Sequence, residues 1–261
     1  MVWSLRGWRR ERALRRGRLD DALWRRALAR FAFARDLDAG DAARLREWVT
    51  LFLHNKTLSA AGGLDLTDTM RVEIALQACI LILNLDIDSY DGWSEVIVYP
   101  EGFLVDQTWT DEAGIVHQGK VGRIGEAWLR GPVVLSWADA DAGAGMEGAE
   151  SNVVIHEFAH KLDMLNGPAD GFPPLHKGMN RNQWNQAFRG AFGDFRLRVR
   201  SGLGTRIDPY AAESPAEFFA VLSEVFFMAP QVALATYPAV YRQLTLFYRQ
   251  DPAARLAVPN F

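Results

Sequence analysis

Two patterns are superimposed on the short segment that runs from Ile155 to Leu162. Ile155, Phe158, Ala159 and Leu162 recur at three- and four-residue spacing, which puts them on one face of a helix and demands a core behind it. His156 and His160 stand four residues apart, so on that helix their imidazoles lie one above the other. Both rings can then reach a single metal ion at about 2.0–2.1 Å per nitrogen. Glu157 is offset in angle but still near that point, where its carboxylate can take a proton from water acidified by the metal. Any fold built on this segment must bury one side of it and keep the other side open. The bland alternative is a histidine pair on an ordinary surface helix. With only five histidines in 261 residues, such a five-residue pattern arises by chance on the order of one percent of the time. The metal reading is the stronger.

A catalytic ion needs a third protein ligand and an open position. The remaining histidines are His54, His117 and His176, and none falls on a later helix among carboxylates. The segment 208–224 is a better source. Ser214 as N-cap and Pro215 at the first helical position start a helix there. Glu217, at the third position, either turns back on Ser214 in a capping box or reaches outward. Its rivals are Glu213 and Glu224. Glu224 lies two turns beyond Glu217 on the same face and is spaced to hydrogen-bond a histidine, whereas Glu213 precedes the cap and reads as exposed. Asp163 either orients an imidazole or is an exposed helix carboxylate.

The rest of the chain predicts a mostly helical α+β fold with a small central sheet. Residues 20–54 read as two helices, striped by Leu23, Ala27 and Phe31 and then by Leu45, Val49 and Phe52, with a break at Gly40 and an N-cap at Asp41. Residues 60–63 read as a loop, and a third helix from about Asp68 to Leu83 is apolar over much of its surface and therefore buried. It holds Cys79, the single cysteine, which excludes an internal disulfide. Residues 94–99 and 103–105 flank Pro100-Glu101-Gly102 and predict a hairpin. Residues 131–137 predict another strand, either an edge that pairs with extended substrate or an ordinary core strand. An acidic, glycine-rich loop is expected at 139–148, and helices at 150–165, 180–200, 214–228 and 238–249. The expected organisation is an N-terminal helical segment, 1–65, packed on a main domain, 66–261, as one unit. Trp93, Trp109, Trp128 and Trp137 read as packing residues.

The seven arginines of residues 1–18 read as a solvated, frayed stretch rather than a patch for an acidic partner. No apolar signal core follows them and no stretch is long enough to span a bilayer, so cytoplasm is the expected compartment. A formal charge of −3 gives no global reason to expect nucleic acid or membrane as partner.

His156-Glu157-Phe158-Ala159-His160-Lys161-Leu162-Asp163, then Tyr210-Ala211-Ala212 and Pro215-Ala216-Glu217-Phe218-Phe219, resemble the Mlc titration factor A family of bacterial zinc peptidases. The resemblance extends over nearly the whole chain and is strongest from about Val133 to Pro252. The catalytic part is also similar to the metallopeptidase domain of anthrax lethal factor, in which a tyrosine precedes the glutamate ligand by seven residues. The resemblance implies a zincin-like domain with one Zn2+ per chain, held by His156, His160 and Glu217. It implies Glu157 as general base and Tyr210 as donor to the oxyanion. It also implies aminopeptidase-like hydrolysis of a peptide substrate. The alternative it carries is a regulatory protein that sequesters a transcriptional repressor of sugar-uptake genes, with hydrolysis secondary. A purely structural zinc site would need a fourth closed ligand, and no Cys or His is placed to supply one.

Overall fold

The computed structural model describes residues 5–17, 19–110, 116–123, 125–145 and 151–256. Helices α1 (Leu5–Arg16), α2 (Asp21–Arg30), α3 (Ala32–Arg35) and α4 (Ala39–Asn55) lead into strand β1 (Thr57–Ala60). Helix α5 (Asp68–Leu81) then carries the chain to β2 (Glu95–Tyr99). Strands β3 (Phe103–Thr110), β4 (Val116–Arg123), β5 (Gly125–Ala127) and β6 (Val133–Ser136) follow, and α6 (Trp137–Gly145) grows directly out of β6. The remainder is helical: α7 (Val153–Asp163), α8 (Arg181–Arg200), α9 (Pro215–Met228), α10 (Pro230–Thr236), α11 (Pro238–Tyr248) and α12 (Pro252–Leu256). Among the described residues no helix is long and apolar enough to cross a membrane.

A four-stranded sheet runs in the order β1-β2-β6-β5, with β1, β2 and β6 parallel and β5 antiparallel to β6. Parallel neighbours need a crossover, and α5 supplies it between β1 and β2. From Ile74 to Leu83 every residue is buried, as the apolar surface of this segment requires. Its start is capped by the Thr67 hydroxyl, which accepts from Met70 N at 3.3 Å. The expected loop after β1 turns through Gly62 and Gly63, both at positive φ.

Several expectations are corrected. The hairpin does not form: β2 pairs in parallel with β1 and β6, while β3 pairs with β4 in a separate two-stranded ribbon. A turn signature reports that the chain bends and says nothing about which strand becomes its neighbour. The break expected at Gly40 lies earlier, because the Asp38 carboxylate, not Asp41, caps α4 by accepting from Asp41 N at 2.8 Å. Of the segment expected as a loop at 139–148, residues 139–145 belong to helix α6 and 146–148 lie outside the described residues; the Ser136 hydroxyl donates to the Asp139 carboxylate at the helix start. The arginine-rich start is likewise the helix α1, packed on α4 through buried Ala13 and tied by Arg10 to Asp86 and Asp88 at 2.6 Å each. Strand β6 is interior and wholly buried, so the edge on its side of the sheet is β5, a Gly-Glu-Ala tripeptide too short and too polar to read as a strand.

The apolar face of α7 is held as its spacing requires. Phe158 meets Phe52, Tyr90 and Trp93 with ring centroids 5.3 to 5.7 Å away, and burying each such side chain stabilises by about 1.5–3 kcal/mol. On the far side Trp184 of α8 stacks on Phe188 at 4.2 Å and touches Phe219 of α9. Helices α7 and α9 thereby pack against each other with a core on either side.

Gly171 locks the loop between α7 and α8. It sits at φ +77, its N–H donates to Asp163 Oδ2 at 2.8 Å, and its carbonyl accepts from Trp184 Nε1 at 3.2 Å. A Cβ there would fall 2.4 Å from the Pro215 carbonyl oxygen at the start of α9. Gly171→Ala should therefore cost about 2–4 kcal/mol in urea denaturation. Gly178→Ala, where a Cβ meets nothing within 4 Å, should change stability by less than about 1 kcal/mol; equal effects at the two sites would refute the packing argument.

Candidate metal centre

Helix α7 begins at Asn152, whose Oδ1 accepts from Ile155 N at 2.9 Å and so fixes where the first turn starts. From that start His156 and His160 project together, with their Nε2 atoms 3.2 Å apart. Helix α9 begins with Ser214 Oγ accepting from Glu217 N at 3.1 Å. Only this half of a capping box forms. The Glu217 carboxylate does not fold back; its Oε2 lies 3.0 Å from His156 Nε2 and 3.3 Å from His160 Nε2. Two helices 57 residues apart in sequence thus deliver three ligand atoms to one point.

The chemistry of these three atoms calls for a cation. His156 Nδ1 lies 2.7 Å from Glu224 Oε1, and a ring nitrogen facing a carboxylate carries the proton. That leaves His156 Nε2 facing a Glu217 oxygen and the second imidazole, an arrangement of acceptors that is repulsive unless a cation, a proton or a metal ion, lies between them. Separations of 3.0–3.3 Å approach the roughly 3.3 Å edge of a tetrahedron whose bonds measure about 2.0–2.1 Å. His156, His160 and Glu217 could hold a metal ion, and the donor set fits one.

Three carboxylates, Glu157, Glu217 and Glu224, line the same cavity of about 790 Å³, and no Lys or Arg is among its described lining residues. Burial raises Glu157 above the ordinary carboxylate range, partly offset by the two imidazoles. Burial also opposes ionisation of Glu217, but the imidazoles held against its oxygen outweigh it and keep this carboxyl below the ordinary range. His156 shows the converse: burial lowers it, and Glu217 and Glu224 on either side lift it well above the usual histidine value. The site attracts positive charge by construction. Tyr210, 43% exposed, lines the cavity mouth with its ring centroid 6.1 Å from that of His156.

Glu224 makes the contact that its spacing from Glu217 predicts. Its second oxygen accepts from Asn152 N at 2.5 Å, and Asn152 Nδ2 donates to Gln77 Oε1 at 2.7 Å. Helices α5, α7 and α9 are stitched together through this buried chain of polar groups. Asn152 and Gln77 were not legible beforehand, since an amide far off in sequence carries no periodic signal. Gly125 is a second such residue: a Cβ there would lie 2.4 Å from Glu157 Oε1, so the edge strand β5 can pass the carboxylate only as glycine. Lys161, one residue past His160, is buried and donates to the carbonyls of Trp128 and Gly131 at 2.6 and 2.9 Å. Burial brings its pKa down to about 8.

Other candidates fall away. His176 lies off the site, its Nε2 against the Phe247 carbonyl at 2.8 Å. His54 is exposed at the end of α4, Glu213 is exposed, and the side chains of His117 and Trp109 lie outside the described residues. Asp163 is neither exposed nor bonded to an imidazole; it is fully buried and accepts from Gly171 N.

An open acidic cavity with two histidines of one helix and a glutamate of another converging at its floor, in a mostly helical α+β fold, is metallopeptidase architecture. Residues 5–249 match the model of the family described as glucose-regulated metallo-peptidase M90. The chain belongs to this family. Among curated proteins it is similar to "Mlc titration factor A" of Klebsiella pneumoniae, 38% identical over 89% of this chain and 87% of the relative. It is likewise 39% identical to the proteins of that name from Salmonella schwarzengrund, over 92% of this chain and 90% of the relative, and Salmonella arizonae, over 90% and 94%.

Burial pushes the Asp163 carboxyl up to about 6, against the Gly171 N–H that favours its charged form. Below its unfolded value near 3.8 both states are protonated; between there and 6 the folded chain holds the extra proton, so stability falls as pH rises through this window. Asp163→Asn should flatten that slope and raise stability at pH 7 relative to wild type by on the order of 1–3 kcal/mol. Urea melts at pH 4, 5, 6 and 7 measure it, and an unchanged slope in the variant would count against the assignment.

Proposed function

We propose that this chain is a zinc-dependent peptidase of the aminopeptidase type, with His156, His160 and Glu217 holding one zinc ion and Glu157 acting as general base. The observation that carries the reading is the convergence of the three ligand atoms within 3.0–3.3 Å of one another on the floor of an open cavity. Zinc when bound supplies Lewis-acid chemistry, acidifying water and polarising the scissile carbonyl. Glu157, held beside the imidazoles and raised by burial toward the operating pH, receives the proton of the attacking water and passes it to the leaving amine. Tyr210 at the cavity mouth donates its hydroxyl to the developing oxyanion. Glu224 fixes the tautomer of His156 and directs its Nε2 into the site.

A free peptide amino terminus suits the walls of this cavity. Glu126 on β5 and Asp208 line it in addition to the three carboxylates. An ammonium group finds acceptors there, whereas a peptide carboxylate away from the metal would face like charge. That polarity favours trimming from the amino end.

The relatives' name, Mlc titration factor A, supports a second role: binding of an Mlc-like transcriptional repressor, separate from hydrolysis.

Purified protein should contain about one zinc per chain. Glu157→Gln should keep the metal while kcat/KM on short peptides falls by about 10²–10⁴, and it should leave repressor capture unchanged. Wild-type hydrolysis by this variant, with contaminants excluded, ends the mechanism. Glu224→Ala should weaken zinc affinity about 10–100-fold in a competition titration with a chelating dye.

A further inference from the structure

Helix α1 carries far more positive charge than its packing requires. Ala13 faces α4 and is buried, and Arg10 is tied to Asp86 and Asp88. Arg15 pairs with Glu11 at 3.6 Å. Arg9, Arg12 and Arg16 differ. They follow one another at i, i+3 and i+7, hence on one face, and among the described residues no carboxylate pairs with any of them. Like charges so spaced repel along a helix.

That face borders a cavity of about 490 Å³, which shares no lining residue with the metal centre. Its opposite wall holds His54 and Lys56, with Trp93 beside them. The Lys56 ammonium is nearly buried, 3.8 Å from the Trp93 ring centroid, and its hydrogen-bond partners are two carbonyls, of Tyr90 and Trp93, at 2.5 Å each. Two of its three N–H groups are thereby used and one remains. Two acidic residues also line the cavity: Asp88, which is engaged by Arg10, and Asp91; burial brings the Lys56 pKa down to about 8, and the Asp91 charge offsets only part of that. Arg9, Arg12, Arg16 and Lys56 therefore outnumber the one acid not engaged by Arg10.

We propose that this cavity is a binding site for a small, multiply charged oxyanion. Guanidinium forks match phosphate and carboxylate oxygens equally in geometry. Three forks spread over seven residues of helix, about 10 Å, suit a ligand with two or more anionic groups better than a single small ion. The volume lies within the range of small-molecule sites, roughly 300–1,000 Å³. The Arg12 guanidinium already rests over the Trp8 ring at 5.2 Å, so part of its rotamer freedom is spent before binding.

The test is calorimetric titration of the full chain with pyrophosphate and, separately, citrate, at an ionic strength held constant with sodium chloride. Saturable binding of either ligand is expected, weakened at least about tenfold by Arg12→Glu combined with Arg16→Glu and unchanged by Arg15→Glu. Pyrophosphate alone binding identifies a phosphate ligand; citrate alone binding identifies a carboxylate ligand. Absence of saturation with both, or equal binding by the double variant, overturns the proposal. Should the double reversal fail to fold, Arg12→Gln with Arg16→Gln carries the same expectation of weakened binding.

Discussion

Glu224 of α9 grips α7 at two points at once, and the geometry of the centre follows from that contact. One oxygen faces His156 Nδ1 and the other accepts the backbone N–H of Asn152, the residue that caps α7. Rotation of α7 about its axis would break both bonds, and sliding of α7 against α9 would leave a buried carboxylate unpaired, which is expensive in a low-dielectric interior. The helix is therefore held in one register, and Glu217, two turns earlier on α9, necessarily meets both imidazoles. Gln77 extends the constraint to α5.

The apolar and polar halves of α7 divide the labour. Phe158 and its aromatic neighbours supply the burial energy, while the polar chain through Asn152 specifies orientation. Apolar contacts alone tolerate small rotations, since dispersion and the hydrophobic effect are weakly directional. A ligand atom misplaced by an ångström would not serve a metal. Directional bonds at 2.5–2.9 Å remove that freedom. The same reasoning explains why Gly125 lies beside Glu157: a side chain on β5 would take the space of the carboxylate.

The two cavities are opposite in charge. Carboxylates gather around the metal centre, with no lysine or arginine among its described lining residues, whereas arginines of α1 line a cavity shared with the 87–93 segment. Trp93 stands between them structurally, with Lys56 at 3.8 Å and Lys161, on the helix of the metal centre, at 4.9 Å from its ring. A near-neutral net charge of −3 conceals this division completely.

Much of this was legible in the chain itself. The stripe at Ile155, Phe158, Ala159 and Leu162 with histidines four apart determined a helix, its buried face and the pair of imidazoles, because these are consequences of a 3.6-residue period within one segment. Ser214 and Pro215 determined where α9 begins, and the eight-residue span from Glu217 to Glu224 determined that both carboxylates share a face. Only the tertiary structure decided that the strand 95–99 pairs in parallel with β1 and β6, that Gly125 forms the edge, and that Asn152 and Gln77 support Glu224. Each of these is a contact between segments far apart in sequence, and local propensity carries no information about which distant group will be the partner. Arg9, Arg12 and Arg16 belong to the second kind: the run reads as frayed until packing shows a helix, its arginines still exposed, bordering a cavity.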